Sequence, residues 1–156
     1  MDVELVPKGR GRYVIKFAKE GKIVTTIADP PVDLGAYPES LFQLDDGNLA
    51  SLWNTGGPYF IFNVFADRNG KISRVLRTAS KMSPEFAYRT SAAKTSASDK
   101  PLPDQLIIIS EMKWVAQKTG DEGSQLKPVT ATLYWWDRAS GQYRYKVVPW
   151  KTRLEN

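Results

Sequence analysis

Three stretches that repeat one pattern predict an all-β fold. Tyr13 to Val24 runs apolar and alternating, breaks at Lys19-Glu20-Gly21-Lys22 and resumes. Phe60 to Val75 does the same around Asp67-Arg68-Asn69-Gly70-Lys71, and Thr132 to Tyr145 around Asp137-Arg138-Ala139-Ser140-Gly141-Gln142. Each is a β-hairpin by rule, two strand-like runs joined by a short polar turn with glycine where positive φ is needed. Similar units recurring along a chain point to a repeat architecture with function in the connecting loops.

Along the chain, Tyr13, Ile15 and Phe17 fall on one face of the first strand, Ile23 to Ile27 returns, and Asp29-Pro30-Pro31 ends the pair because proline cannot donate to a ladder. Val32 to Ser40 reads as irregular, with Pro38-Glu39-Ser40 placed to open a helical turn. Leu41–Leu44, the turn Asp45-Asp46-Gly47-Asn48, and Leu49–Trp53 form a second hairpin ahead of the central one. Four strands in succession make a meander, the unit of a propeller blade or half a sandwich.

From Arg77 to Pro103 the apolar pattern fades, and Ser83-Pro84-Glu85 has the form of a helix start. Leu106 to Val115 fits a strand better than a helix, although Leu106, Ile109, Met112 and Val115 also recur at intervals of three. Pro128–Trp136 and Tyr143–Val148 form the last hairpin, and Trp150 to Leu154 reads as a tail suited to an edge strand. The expectation is about nine strands in two antiparallel sheets of about four each, arranged as two propeller-like blades or a small sandwich. One domain spans 1–156, with repeat-like halves at about 10–76 and 104–153 joined by a long loop, 77–103, that carries the short helix.

Of the 156 residues, 42% are hydrophobic and 25% charged, ordinary for a globular chain. No apolar run approaches the roughly 18 residues that cross a bilayer. Met1-Asp2-Val3-Glu4 starts acidic and polar, unlike a signal peptide, and a mature exported protein with a new start methionine would read the same. The sequence has no cysteine and no histidine, which removes thiol nucleophiles, Ser-His triads, Cys/His zinc sites and disulfides together. Catalysis would have to rest on carboxylates, Lys, Tyr or Ser, and a non-catalytic protein is the expectation.

Net charge is +5, but the basic residues are scattered rather than gathered in a run. Asp45-Asp46-Gly47-Asn48 and Asp67-Arg68-Asn69-Gly70 are spaced as turns, with glycine too early for a calcium loop and no bidentate Glu downstream, so neither metal nor cofactor is expected. Trp135 and Trp136 must face opposite ways. A nucleic-acid or polyanion reading would stack bases on Tyr134, Trp136, Tyr143 and Tyr145 with Arg138, Arg144, Lys146, Lys151 and Arg153 on phosphates; cross-strand aromatic pairing is the plainer account. A glycan hydrolase would need carboxylates such as Asp45 and Asp67, or Asp104 and Glu111, held at a set separation.

The sharpest candidate is Arg89, Thr90, Ser91, Ala92, Ala93, Lys94, Thr95, Ser96, Ala97 and Ser98. This stretch has no large apolar side chain to bury, so an exposed loop is expected. Small side chains let a backbone enter a narrow cleft and hydroxyls supply adaptable hydrogen bonds, so the segment suits contact with a protein partner.

The hairpins Phe65–Ile72 and Tyr134–Tyr143 resemble the propeller-type repeats of FG-GAP-like bacterial exported proteins, which carry a Tyr-x-Trp-Asp-x-x-x-Gly-x-Tyr hairpin. The acidic calcium loops of those repeats are missing. Two such units, a Ser-rich connecting loop and no catalytic set together resemble periplasmic immunity proteins of the type VI secretion system, the antitoxin half of a toxin–antitoxin pair. That resemblance implies a periplasmic enzyme inhibitor, a cognate peptidoglycan amidase toxin as partner, and insertion of the loop around Ser91 to Ser98 into a cysteine–histidine cleft.

Overall fold

A computed structural model describes residues 1–9, 12–29, 36–57, 59–90, 103–116 and 123–155. Its eleven strands, among the described residues, are β1 (Asp2–Gly9), β2 (Arg12–Lys19), β3 (Lys22–Ala28), β4 (Tyr37–Gln43), β5 (Leu49–Asn54), β6 (Phe60–Arg68), β7 (Lys71–Ser80), β8 (Glu85–Thr90), β9 (Pro103–Ala116), β10 (Ser124–Asp137) and β11 (Gln142–Pro149). A single turn of 3₁₀-helix follows at Trp150–Thr152. The protein is all-β, with two four-stranded antiparallel sheets, β4-β5-β6-β7 and β11-β10-β9-β8, each a meander in chain order. A three-stranded sheet, β1-β2-β3, adds to the two that the sequence predicts.

The turns explain the meanders. Glu20 and Gly21 join β2 to β3 with φ of 53° and 75°, and Asn69 and Gly70 join β6 to β7 with φ of 55° and 81°. Two consecutive positive-φ residues match the right-handed twist of flanking strands. In the β10–β11 connection the Gly141 amide donates to the Asp137 carbonyl at 2.8 Å.

The chain forms two compact units, residues 1–43 with 47–78, and residues 44–46 with 79–156. The first is a sandwich, because the apolar face of β2 packs on one face of β6, a strand buried on both faces. Ile15 and Phe17 pack with Phe65 and Ile72, and Val3, Leu5, Ile27, Leu41 and Leu49 close around them. The Phe17 and Phe65 rings lie 5.9 Å apart and tilted, a favoured aromatic geometry. A second cluster joins Ala36, Trp53 and Ile61, with Leu5 and Tyr13 against it.

The second unit is buried on both faces of β9, with Ile107 and Ile109 on one side and a packed cluster on the other. Leu106, Ile108, Ala131, Leu133 and Val148 are buried there, and Ala87, Trp135 and Trp150 pack against them. The register that sets Ile108 beside Leu133 and Ala131 beside Val148 places these side chains in one layer.

Several expectations are corrected. Residues 83–85 do not open a helix: Glu85 begins β8, whose alternation sets Ala87 on the core face and leaves Phe86 and Tyr88 on the other. The predicted loop 77–103 therefore contains the end of β7 and all of β8. Pro38-Glu39-Ser40 lies in strand β4, where an edge position and a bulge between Pro38 and Ser40 tolerate proline. Residues 106–115 are strand, as expected, with Ile107 and Ile108 paired on both sides and Ile109 paired with Thr132. The tail at 150–152 is a 3₁₀ turn rather than an edge strand, held by Thr152 Oγ1 donating to the Pro149 carbonyl at 3.1 Å.

Candidate functional site

The segment singled out in the sequence begins on β8, an edge strand of the second unit's sheet. Arg89 and Thr90 are the last residues of β8, opposite Asp104 and Pro103 at the start of β9. Residues 91–98 lie outside the described residues, as do the side chains of Arg89 and Thr90. The stem below is well tied. The Tyr88 hydroxyl donates to Asp45 Oδ2 at 2.7 Å, and the Asp45 amide donates to Gln105 Oε1 at 3.0 Å. That hydrogen bond to Asp45, and the carboxylate's charge, hold the Tyr88 phenol above its ordinary pKa. Phe86 and Tyr88 share a face of β8 and are 40% and 57% exposed, so the stem offers aromatic surface beside the loop.

The acidic turns act as struts. Asp46 accepts from the Tyr143 hydroxyl at 2.6 Å. Asp67 Oδ1 accepts from the Gly70 amide at 2.8 Å, the bond of a hairpin turn. Among the described residues no group of three or more Asp, Glu, His or Cys could hold a metal ion. Of the carboxylate pairs considered for hydrolysis, Asp45 is engaged by Tyr88 and Asp67 by the Gly70 amide of its own turn, Glu111 accepts from Thr130 Oγ1 at 2.8 Å, and the Asp104 side chain lies outside the described residues. Thr130 first and Lys113 second keep the Glu111 carboxyl below the usual range.

The C-terminal aromatic and basic side chains separate by face. Tyr134 pairs with Tyr145 and Trp136 with Tyr143, ring centres 5.9 Å and 5.0 Å apart, on one side of the sheet. Arg144 and Lys146 alternate with Tyr143 and Tyr145 along β11, so they lie on the other side, beside Trp135 and Leu133. Arg144 Nε donates to Asp137 Oδ2 at 2.9 Å, and this contact, then Ser140, lowers the Asp137 pKa. Arg153 pairs with Glu85 at 2.9 Å and lies 3.5 Å over the Trp150 ring. The register thus divides the groups that a base-stacking surface would need together.

Sequence reading missed a buried polar cluster in the first unit. Asp29 follows β3 and is wholly buried. It accepts from Ser51 Oγ, from Trp53 Nε1 at 2.7 Å and from Asn63 Nδ2 at 2.7 Å, and Arg74 Nη2 stands 3.4 Å away. Ser51, Trp53 and Asn63 share one face because Ser51 pairs with Asn63 across β5 and β6. Arg74 also donates to the Ala28 carbonyl at 2.9 Å and covers the Phe65 ring. Burial pushes the Asp29 carboxyl above its ordinary value, outweighing the bonds from Ser51 and Trp53 and the charges of Arg74 and Arg77. A carboxylate sealed from solvent cannot meet a dissolved substrate, so this cluster braces the sandwich. Its signal in the sequence was Asn63, a lone amide inside the apolar run Phe60–Phe65.

No protein-family model matches the chain, and no curated protein or solved structure is found similar to it.

Proposed function

We propose that this chain is a non-catalytic binding protein of the immunity type, which inhibits a cognate cell-wall amidase by placing the hairpin loop 89–98 in its cleft. One observation carries the reading: the small-residue segment connects two strands whose pairing reaches Arg89–Asp104 and Thr90–Pro103, so its ends are fixed on a sheet edge. Fixed ends lower the ordering cost of loop insertion. Tyr88, braced by Asp45 and Gln105, and Phe86 beside it supply aromatic surface for the rim of a partner. The periplasm and the secreted toxin of a type VI system belong to the same reading.

The test is inhibition of a purified cysteine–histidine cell-wall amidase, the toxin that this reading expects to be encoded beside the chain. Replacing Ser91 to Ser98 with a glycine-rich linker is expected to abolish inhibition while circular dichroism stays unchanged. Full inhibition by the replaced chain would refute the proposal.

A further inference from the structure

The β9–β10 hairpin outgrows its sheet. Both strands run 14 residues, but β8 pairs with β9 only as far as Ile108 and β11 with β10 only from Thr130 onward. Ser80 Oγ caps the Ser110 carbonyl at 3.0 Å. Beyond that point, residues 112–116 and 124–128 pair only with each other among the described residues, and Glu111 pairs only with Thr130. The ribbon extends about 20 Å at the usual strand rise. A two-stranded ribbon alone is marginal in water.

The ribbon is amphipathic. Met112 and Trp114 face Pro128 and Leu126 on one side, and Trp114 is 67% exposed. On the other side Lys113 stands directly opposite Lys127. Like charges set opposite one another destabilise a strand pair. Among the described residues Glu111, 3.6 Å from Lys113, offsets them, and it also accepts from Thr130. The two outer edges differ. That of β10 is blunted by Pro128, which has no amide hydrogen, and by the bulge between Pro128 and Thr130. That of β9, from Glu111 to Ala116, has no proline and no partner strand among the described residues.

We propose that the outer edge of β9 over residues 111–116 is a docking site for an extended segment of a partner protein, which adds as a third strand with apolar residues over Met112 and Trp114 and an acidic residue opposite Lys113. Strand addition supplies main-chain hydrogen bonds for affinity and alternate side chains for specificity. The acidic residue follows from charge: it would neutralise the Lys113–Lys127 pair. A second copy supplies the wrong sign, since the antiparallel register that overlaps 111–115 with itself sets Lys113 against its own mate. This site is independent of loop 89–98.

Two synthetic peptides test it, each alternating leucine with threonine and differing only in a central glutamate or lysine. Calorimetry on the full chain is expected to show the glutamate peptide binding about tenfold or more tightly than the lysine peptide. Lys113→Glu, at a side chain 62% exposed and so compatible with folding, should invert that order. N-methylation of alternate amides should abolish binding, and the chain with Ser91 to Ser98 replaced should bind as well as the parent. No binding, equal affinity for both peptides, an order unchanged by Lys113→Glu, binding that survives N-methylation, or binding lost with the 91–98 replacement would overturn the proposal. So would self-association in sedimentation equilibrium that Trp114→Ala removes, which would assign the ribbon to a second copy.

Discussion

Asn63 donates through Nδ2 to Asp29 Oδ1 at 2.7 Å, and both side chains are wholly buried inside the first unit's sandwich. Desolvating a carboxylate is costly, and donors on neighbouring strands offset that cost only while the acceptor is present. Asp29→Ala would leave Trp53 Nε1, Asn63 Nδ2 and the nearby Arg74 facing an empty position. A loss of about 3–5 kcal/mol is expected, the usual consequence of removing one partner of a buried charged set. Urea unfolding followed through tryptophan fluorescence measures it, and a loss under about 1 kcal/mol would show that the cluster does not brace the fold.

The same acid sets a pH dependence with a defined sign. Burial raises the folded pKa of Asp29 above its ordinary 3.8, so the folded state holds its proton more tightly than the unfolded chain. The resulting contribution to stability is fully present below the ordinary value and is lost as pH rises through the folded pKa. Half-buried Asp137 and exposed Glu111, whose pKa values are lowered, act in the opposite direction, so the comparison must be made against a variant. The stability of the parent minus that of Asp29→Asn is expected to fall as pH rises from the ordinary carboxylate range toward neutrality. A difference independent of pH would contradict the burial-driven shift.

Tyr88 reports on the stem of the candidate loop. Its phenol sits above 10.0 because it donates to Asp45, and neutralising that carboxylate removes both the bond to a charged acceptor and the charge. In Asp45→Asn the Tyr88 titration, followed by NMR of its ring protons, is expected to move down toward the ordinary tyrosine value. An unmoved titration would mean that the hydroxyl does not engage Asp45 in solution.

The strands that sequence reading located are those with neighbours on both sides or a strong turn. The positive-φ pairs Glu20-Gly21 and Asn69-Gly70 close hairpins where expected, and Ile107–Ile109 forms a central strand. The strands that it missed or misread, β1, β4 and β8, are all sheet edges. Edge strands bury one side incompletely and admit proline and charge, so their alternation is weak. In β1, Val3 and Leu5 reach the core while Asp2, Glu4, Pro7 and Lys8 mask the pattern. In β4, Pro38 imitates a helix start. The Asp29 cluster was illegible for another reason: Asp29 lies 22 to 45 positions from its partners in sequence, and only the pairing of β5 with β6 and the packing of the unit bring them together. Of the candidate segment 89–98, the structure shows only the pairing of Arg89 and Thr90 with Asp104 and Pro103, which the fading apolar pattern after Arg77 concealed.

Arg153 fastens the chain's last turn to the second unit. Its guanidinium donates to Glu85 at 2.9 Å and to the Trp150 carbonyl at 3.3 Å, and lies 3.5 Å over the Trp150 indole. Trp150 in turn packs on the core of Leu106, Ile108 and Leu133. The ion pair is only partly screened, with side chains 20% and 34% exposed, so it is worth more than a typical surface pair but less than a sealed one. With the stacking contact included, Arg153→Ala is expected to cost about 1–2 kcal/mol. Arg153→Lys keeps the charge but loses the planar fork that pairs and stacks at once, so it should recover only part of that loss. Urea unfolding gives both values, and faster hydrogen exchange at the amides of Arg153 and Glu155, which donate to Trp150 and Thr152, would locate the effect in the tail. Full recovery by lysine would show that charge alone, rather than the fork over Trp150, holds the tail.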